Sequence, residues 1–279
     1  MATNPASLST ALQTTAASTV TTTITTSTTG NTSVTTVTTT ATPVGPVEPV
    51  IPSTAVTTNM LLSRAWSCKH DTGTPGDASG TFAYPTTAPD GTTNCGEFAF
   101  TNIAKGGALY HANVMADATP YNTFCYEAVE YFPAPLGASN LACMEKDLEQ
   151  VAAATSGGNA PYVDMATQLD HYNGTVDITQ NQKWQATSVK IDPLSRKAGV
   201  WYTTRIYVKN IDGKNVEYIG IYLSDTGVYY PLNITVPSQP SQPWGQKLLN
   251  QQLQYVGLST GTVASTVFIK TLNIHCWKS

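Results

Sequence analysis

From residue 59 onward, apolar and polar positions alternate in short runs broken by Gly, Pro, Asn and Asp. Alternation with a period of two marks strands that bury one face. Residues 124–132 (FCYEAVEYF) alternate in this way and stop at Pro133. The turn over 133–140 predicts a hairpin into the next strand, 141–151 (LACMEKDLEQV). Further strands are predicted over 163–169, 184–191, 200–209, 216–223, 228–232, 253–259 and 266–277. Helical periodicity is nearly absent, apart from a short turn suggested over 244–251. Many short strands at regular spacing predict an all-β sandwich, jelly-roll or barrel.

The pattern before residue 59 is different. Residues 19–42 are Thr with Val or Ile at irregular intervals, and residues 43–52 form a Pro-rich linker. The first 58 residues hold no Lys or Arg and a single acid, Glu48. Thr and Val favour strands, yet a segment so poor in large apolar groups cannot build a core. Two readings fit. One is an extended, O-glycosylated spacer. The other is an arm that adds as a strand to a neighbouring subunit, giving self-association through residues 1–58. The expected organisation is an arm or linker over 1–58 and a sandwich over 59–279.

Charged residues are 11% of the chain and the net charge is −4, with no basic run. Nucleic acid is not an expected partner, because phosphate binding needs clustered Lys and Arg. No apolar run approaches the ~20 residues of a helical membrane span. Low charge with abundant Thr, Asn, Gln, Ser, Gly and Tyr suits an extracellular or cell-surface protein that meets polar, uncharged ligands. Five cysteines (Cys68, Cys95, Cys125, Cys143 and Cys276) predict an oxidising compartment with two disulfides and one thiol left over. Cys68 with Cys276 is one candidate pair, since they lie in the first and last predicted strands. The opening residues show no basic n-region or apolar h-region, so no signal peptide is recognised. No two Cys or His sit at metal-ligand spacing, so no metal site is expected. The loop 71–77, with Asp71 and Asp77, is the weak candidate for calcium.

The candidate chemistry lies in Glu145-Lys146-Asp147-Leu148-Glu149. On a strand all three carboxylates project from one face. Three acids in such a row repel one another and need either water or a task. Glycoside chemistry supplies one, with one carboxylate attacking the anomeric carbon and another moving the proton. The plain alternative is a solvated face whose acids are balanced by Lys146, Lys190 or Arg205. Trp184, Trp201 and Trp244 are candidate stacking platforms for sugar rings. His171 and Tyr172, at a turn, could serve as sugar contacts or as a base and acid in a lyase, with Arg205 neutralising a uronate.

Three landmarks resemble the concanavalin A-like lectin/glucanase superfamily, over roughly residues 66–277. The Glu-x-Asp-x-Glu strand is similar to the catalytic strand of laminarinase- and lichenase-type β-glucanases. The run 199–208 (GVWYTTRIYV) followed by 216–223 (VEYIGIYL) is similar to their aromatic hairpin, and 267–274 (VFIKTLNI) to their closing strand. The resemblance implies a jelly-roll in which Glu145 is the nucleophile, Asp147 orients and tunes it, and Glu149 is the acid/base of a retaining reaction. Two positions depart from the pattern. Lys146 stands where an apolar residue would pack into the core, and Gln150 where an aromatic or apolar residue would follow. The expected function is recognition of a neutral polysaccharide. A retaining endo-β-glucanase is the alternative, and an assembly protein with a strand-donating arm a third.

Overall fold

A computed structural model of the chain describes residues 18–29, 32–43, 45–63, 65–136, 141–152, 159–192, 196–238, 240–242 and 246–279. They fall into two compact units, 1–47 and 48–279. In the first unit β1 (Ser18–Thr29) pairs antiparallel with β2 (Thr32–Pro43), and Ile24 stands opposite Val37. The Thr-rich segment thus pairs with itself, an arrangement neither expectation included.

The second unit contains β3 (Val56–Asn59), a 3-10 turn (Met60–Leu62), β4 (Ser67–His70), β5 (Asp77–Thr86), β6 (Cys95–Ile103) and β7 (Gly107–Met115). It continues with β8 (Thr123–Tyr131), β9 (Leu141–Val151), β10 (Ala160–Pro161), β11 (Val163–Asp170), β12 (Thr175–Gln180) and β13 (Lys183–Lys190). The last six strands are β14 (Trp201–Asn210), β15 (Asn215–Leu223), β16 (Val228–Pro237), β17 (Ser241–Gln242), β18 (Leu248–Gly257) and β19 (Thr262–Trp277). One antiparallel sheet of seven strands runs β13-β12-β11-β9-β18-β7-β4. An eight-stranded sheet runs β16-β15-β14-β8-β19-β6-β5, with β3 paired to β19. This is the all-β sandwich that the pattern and the resemblance implied.

Alternation sets which side chains fill the space between the sheets. Phe98, Tyr110, Phe124, Tyr126, Met144, Leu148, Leu253, Tyr255, Leu272 and Ile274 are all buried in one continuous core. Burying a side chain such as Met144 or Leu148 contributes roughly 1.5–3 kcal/mol. Lys146 lies between those two on β9 and takes the same inward face, 1% exposed. Its ammonium meets Glu130 of β8 at 2.8 Å, and Arg196 reaches the other Glu130 oxygen at 2.9 Å. Buried charge is tolerated only when paired in this way. Gln150 also turns inward, donating to the Ala118 and Tyr121 carbonyls at 2.8 and 3.0 Å. Neither departure from the resemblance leaves an unmatched polar group.

Two expectations are corrected. The turn at 133–140 does not close a hairpin, because β8 pairs with β14 and β19 while β9 pairs with β11 and β18. The connection crosses from one sheet to the other. The predicted disulfides are also absent, and all five cysteines are free thiols. Cys125 and Cys276 lie on neighbouring strands but on opposite faces. Cys276 joins the central core, and Cys125 a separate cluster with Tyr207 and Tyr229. Cys68 lies on β4, in the other sheet from Cys276, and the two are free thiols rather than the candidate pair. Burial pushes the thiols up, to about 11 for Cys68 and about 12 for Cys276.

Candidate functional site: a carboxylate groove on the seven-stranded sheet

Because Met144, Lys146 and Leu148 point inward, Glu145, Asp147 and Glu149 point to the other face of the same sheet. There they line a groove of about 960 Å³. Register decides their neighbours. Glu149 stands between Asp164 of β11 and Asn250 of β18. Asp147 stands between Ala166 and Gln252, with His111 of β7 beyond. Glu145 stands between Gln168 and Gln254. Each acid therefore faces a side-chain amide across the β9–β18 pairing. Lys69 and Asp71 line the groove from the β4 side, and Trp184 of β13 from the other end.

The hydrogen bonds are specific. Asn250 Nδ2 donates to Glu149 Oε2 at 2.7 Å, and Gln254 Nε2 donates to Asp71 Oδ2 at 2.9 Å. Thr179 donates to Asp164 Oδ2 at 3.3 Å. Asp147 is only 8% exposed, and its Oδ1 has no hydrogen-bond partner among the described residues. Residues four apart on a strand have Cα atoms ~13 Å apart, whereas residues directly opposite on antiparallel strands are ~4.5–5.5 Å apart. Glu149 and Asp164 are such an opposite pair, brought closer in the backbone than Glu145 and Glu149.

Burial and crowding favour the protonated carboxyls. Burial first, then the charges of Asp71 and Asp164, push Glu145 up to about 8. Burial and Glu149 push Asp164 up to about 7. Asp147 is raised well above the usual carboxylate range by burial and by Glu145, Asp164, Glu149 and Asp71. Glu149 is raised by burial, against amide donors from Asn250 and Gln252 that favour its ionised form. His111 is lowered by burial and by Lys69.

Of the residues singled out from sequence, Glu145, Asp147, Glu149 and Trp184 meet in this groove. Trp201 does not, since its Nε1 donates to Asp90 at 2.7 Å and its ring packs against Tyr131 and under Lys270. Arg205 lies on the eight-stranded sheet. It is bidentate to Glu48 at 2.6 and 2.8 Å and 4.3 Å from the Tyr222 ring centre. Neither Arg205 nor the inward-facing Lys146 balances the groove acids. His171 is buried at the turn after β11 and Tyr172 is 68% exposed, and neither lines the groove. Trp244 lies outside the described residues. In the loop considered for calcium, Asp71 turns to the groove while Asp77 accepts from the Ala78 amide at 2.7 Å. Among the described residues no three His, Cys, Asp or Glu gather closely enough to hold a metal ion.

Asp164, Asp71, His111, Asn250, Gln252 and Gln254 complete the groove and were not singled out from sequence. The alternation of Asn250, Gln252 and Gln254 is visible in NQQLQ, but only the β9–β18 register makes it face the acids.

No protein-family model and no curated protein matches the sequence. Among solved structures, the chain is similar to arcelin-5, a lectin-like defense protein from Phaseolus vulgaris. The TM-score is 0.40 and the identity 9%, over 77% of this chain and 99% of that one. It is also similar to the carbohydrate esterase vb_24B_21 of the Shiga toxin-encoding bacteriophage phi24B (TM-score 0.41, 14% identity, 80% and 98% covered). A third is an endo-1,3-beta-glucanase from Streptomyces sioyaensis (0.35, 10%, 84% and 100%). Similarity at this level assigns no residue a role.

Proposed function

We propose that the groove binds a polysaccharide chain, largely of uncharged sugar units, at or outside the cell surface. One observation carries this reading. A single strand presents Glu145, Asp147 and Glu149 to a facing row of amides, Asn250, Gln252 and Gln254, with Trp184 in the same groove. Carboxyls and amides at regular strand spacing match the donors and acceptors on sugar rims, and an indole ring matches a sugar's C–H face. The low-charge composition supports an extracellular setting. The test is co-sedimentation and calorimetry of the full chain with β-1,3, β-1,4 and mixed-linkage glucans. Saturable binding weakened in Trp184→Ala supports the reading, and no binding to any of them sinks it.

A second reading, hydrolysis of the bound glycan, is favoured by the different environments of the two glutamates. Divergent carboxyl environments are what acid and nucleophile roles require. Glu149 is raised by burial too, but it accepts from Asn250, a contact that favours the ionised form needed for attack on the anomeric carbon. The buried Glu145, pushed up to about 8, is suited to proton donation. In this reading the roles are the reverse of those the resemblance implies, with Asp147 as the tuning group between them. Reducing-end release from the same glucans, abolished in Glu149→Gln, tests it.

A further inference from the structure

The groove holds more acid than sugar hydroxyls or hydrolysis use. Besides the three β9 carboxyls, Asp164 enters from β11 and Asp71 from the loop after β4, against a single lysine, Lys69, among the described residues. At the centre of this cluster lies Asp147, 8% exposed, its Oδ1 accepting no hydrogen bond among the described residues. The facing Gln252 and the more distant His111 leave that oxygen unmatched. A buried carboxyl oxygen without a donor is one of the costliest groups to leave unpaired, and Asp147 is a residue that lines the groove. We propose that the groove seats a sugar unit bearing a primary amine, with its ammonium received by Asp147 and flanked by Asp164 and Glu145. The ligand class is a partly N-deacetylated amino-sugar polymer, uncharged along most of its length and cationic at this unit.

This inference rests on the reading of the groove as a polysaccharide site and adds the identity of one subsite. An ammonium offers three N–H donors and a positive charge, which answers both the orphaned oxygen and the excess of acid. A uronate would bring a further negative charge beside five carboxyls. A plain hydroxyl would leave the charge excess as it is. A divalent ion fits less well, because the acids do not gather into a set of three that could share one.

The groups facing Asp147 also predict a signature. They are Glu145 and Glu149 on its own strand, Asp164 across β11, His111 on β7, and Lys69 and Asp71 on the far side. Burial first, and then crowding by neighbouring acids, keeps protons on Glu145 and Asp164, up to about 8 and about 7. An entering ammonium takes over that balancing role, so a proton leaves as the ligand binds. An uncharged glycan displaces none.

Isothermal titration of the full chain with glucosamine, N-acetylglucosamine and glucose hexamers tests this, at mildly acidic pH in two buffers of different ionisation heat. The expected result is about tenfold tighter binding of the glucosamine hexamer, as for a charge-assisted pair, with about one proton released. Asp164→Asn should shrink that preference while glucose-hexamer binding persists, and Asp147→Asn should shrink it as well, with thermal melts confirming that the variants fold. Equal affinity for the three hexamers, without proton release, overturns the amine subsite and leaves the polysaccharide reading standing. An amine preference that survives both substitutions reflects the overall negative charge of the chain and also overturns it. Binding of no hexamer removes both readings.

Discussion

Glu130 of β8 and Lys146 of β9 meet at 2.8 Å between the two sheets, with both side chains inaccessible to solvent. Arg196 completes the arrangement by bridging Glu130 at 2.9 Å and Asp225 at 3.2 Å. The strand that carries the groove acids is therefore held from its inner face by an ion network joining the two sheets. Removing one partner of a buried pair costs about 3–5 kcal/mol, whereas replacing a charged residue by an apolar one of similar volume is often tolerated. Glu130→Gln leaves Lys146 without a counter-charge and Arg196 with Asp225 alone, and urea denaturation should show it destabilised by about 3 kcal/mol or more. Lys146→Met leaves the Glu130–Arg196 pair intact and should cost clearly less. Equal losses in the two variants would mean that the network does not depend on Glu130 as its centre.

The groove acids make stability fall as pH rises. Their folded-state carboxyls hold protons to higher pH than in the unfolded chain, where they titrate near 4. Unfolding then releases protons, so stability declines from that range up to about 8, the value to which Glu145 is pushed. Above it the decline from this group stops. Glu145→Gln removes one of the buried charges, so the variant should gain about 1–3 kcal/mol over the parent at pH 9 and little at pH 5. Thermal unfolding of both proteins across that range checks the sign. A parent that grows more stable from pH 5 to pH 8 would contradict it.

The acidic strand was legible because alternation is a local property. Residues 141–151 read as one strand with Glu145, Asp147 and Glu149 on one face, and β9 has those bounds. Even the awkward Lys146 was readable as an inward residue, though its partner Glu130 was not. Period-two patterning says which side chains share a face and nothing about which sheet a strand joins. Hence Trp201 and Arg205, on β14, looked as eligible as Trp184 until the topology put them on the other sheet. The β8–β9 hairpin failed for the same reason, since a polar turn can reverse within a sheet or cross between sheets. Asp164 and the amides of β18 reach the acids through pairings that bridge long stretches of chain.

The boundary of the folded unit is itself testable. Glu48 is bound twice by Arg205 and once by Tyr207 at 2.7 Å, and β3 pairs with β19. A chain lacking residues 1–47 keeps all of this and should melt within a degree or so of the parent. A chain lacking residues 1–58 loses the ion pair and most of the β3 ladder, and should be less stable by roughly 2 kcal/mol. Matching melting temperatures for the two truncations would place the start of the cooperative unit after residue 58.

Binding should distinguish the two tryptophans. Trp184 lines the groove, and Trp184→Ala removes a stacking face worth on the order of 1 kcal/mol, lowering glycan affinity about fivefold. Trp201 is occupied by Asp90, Tyr131 and Lys270 away from the groove, so Trp201→Ala should leave affinity unchanged. Equal loss in both would point to a ligand surface other than the seven-stranded sheet.

The order of catalytic roles is open to a direct chemical test. If the groove hydrolyses its glycan, removing the nucleophile leaves space that a small anion such as azide can enter to attack the anomeric carbon. Removing the acid instead is compensated by substrates with a good leaving group. Burial favours protonation of both glutamates, and the Asn250 contact opposes it only at Glu149. Glu149→Ala should therefore lose roughly 10³-fold or more in kcat and recover activity with azide. Glu145→Ala should lose activity mainly on poor leaving groups and gain nothing from azide in the first half-reaction. Azide rescue of Glu145→Ala alone would restore the order implied by the glucanase-like strand. It would mean that substrate binding, by excluding water and engaging Asn250, reverses the environments of the two glutamates.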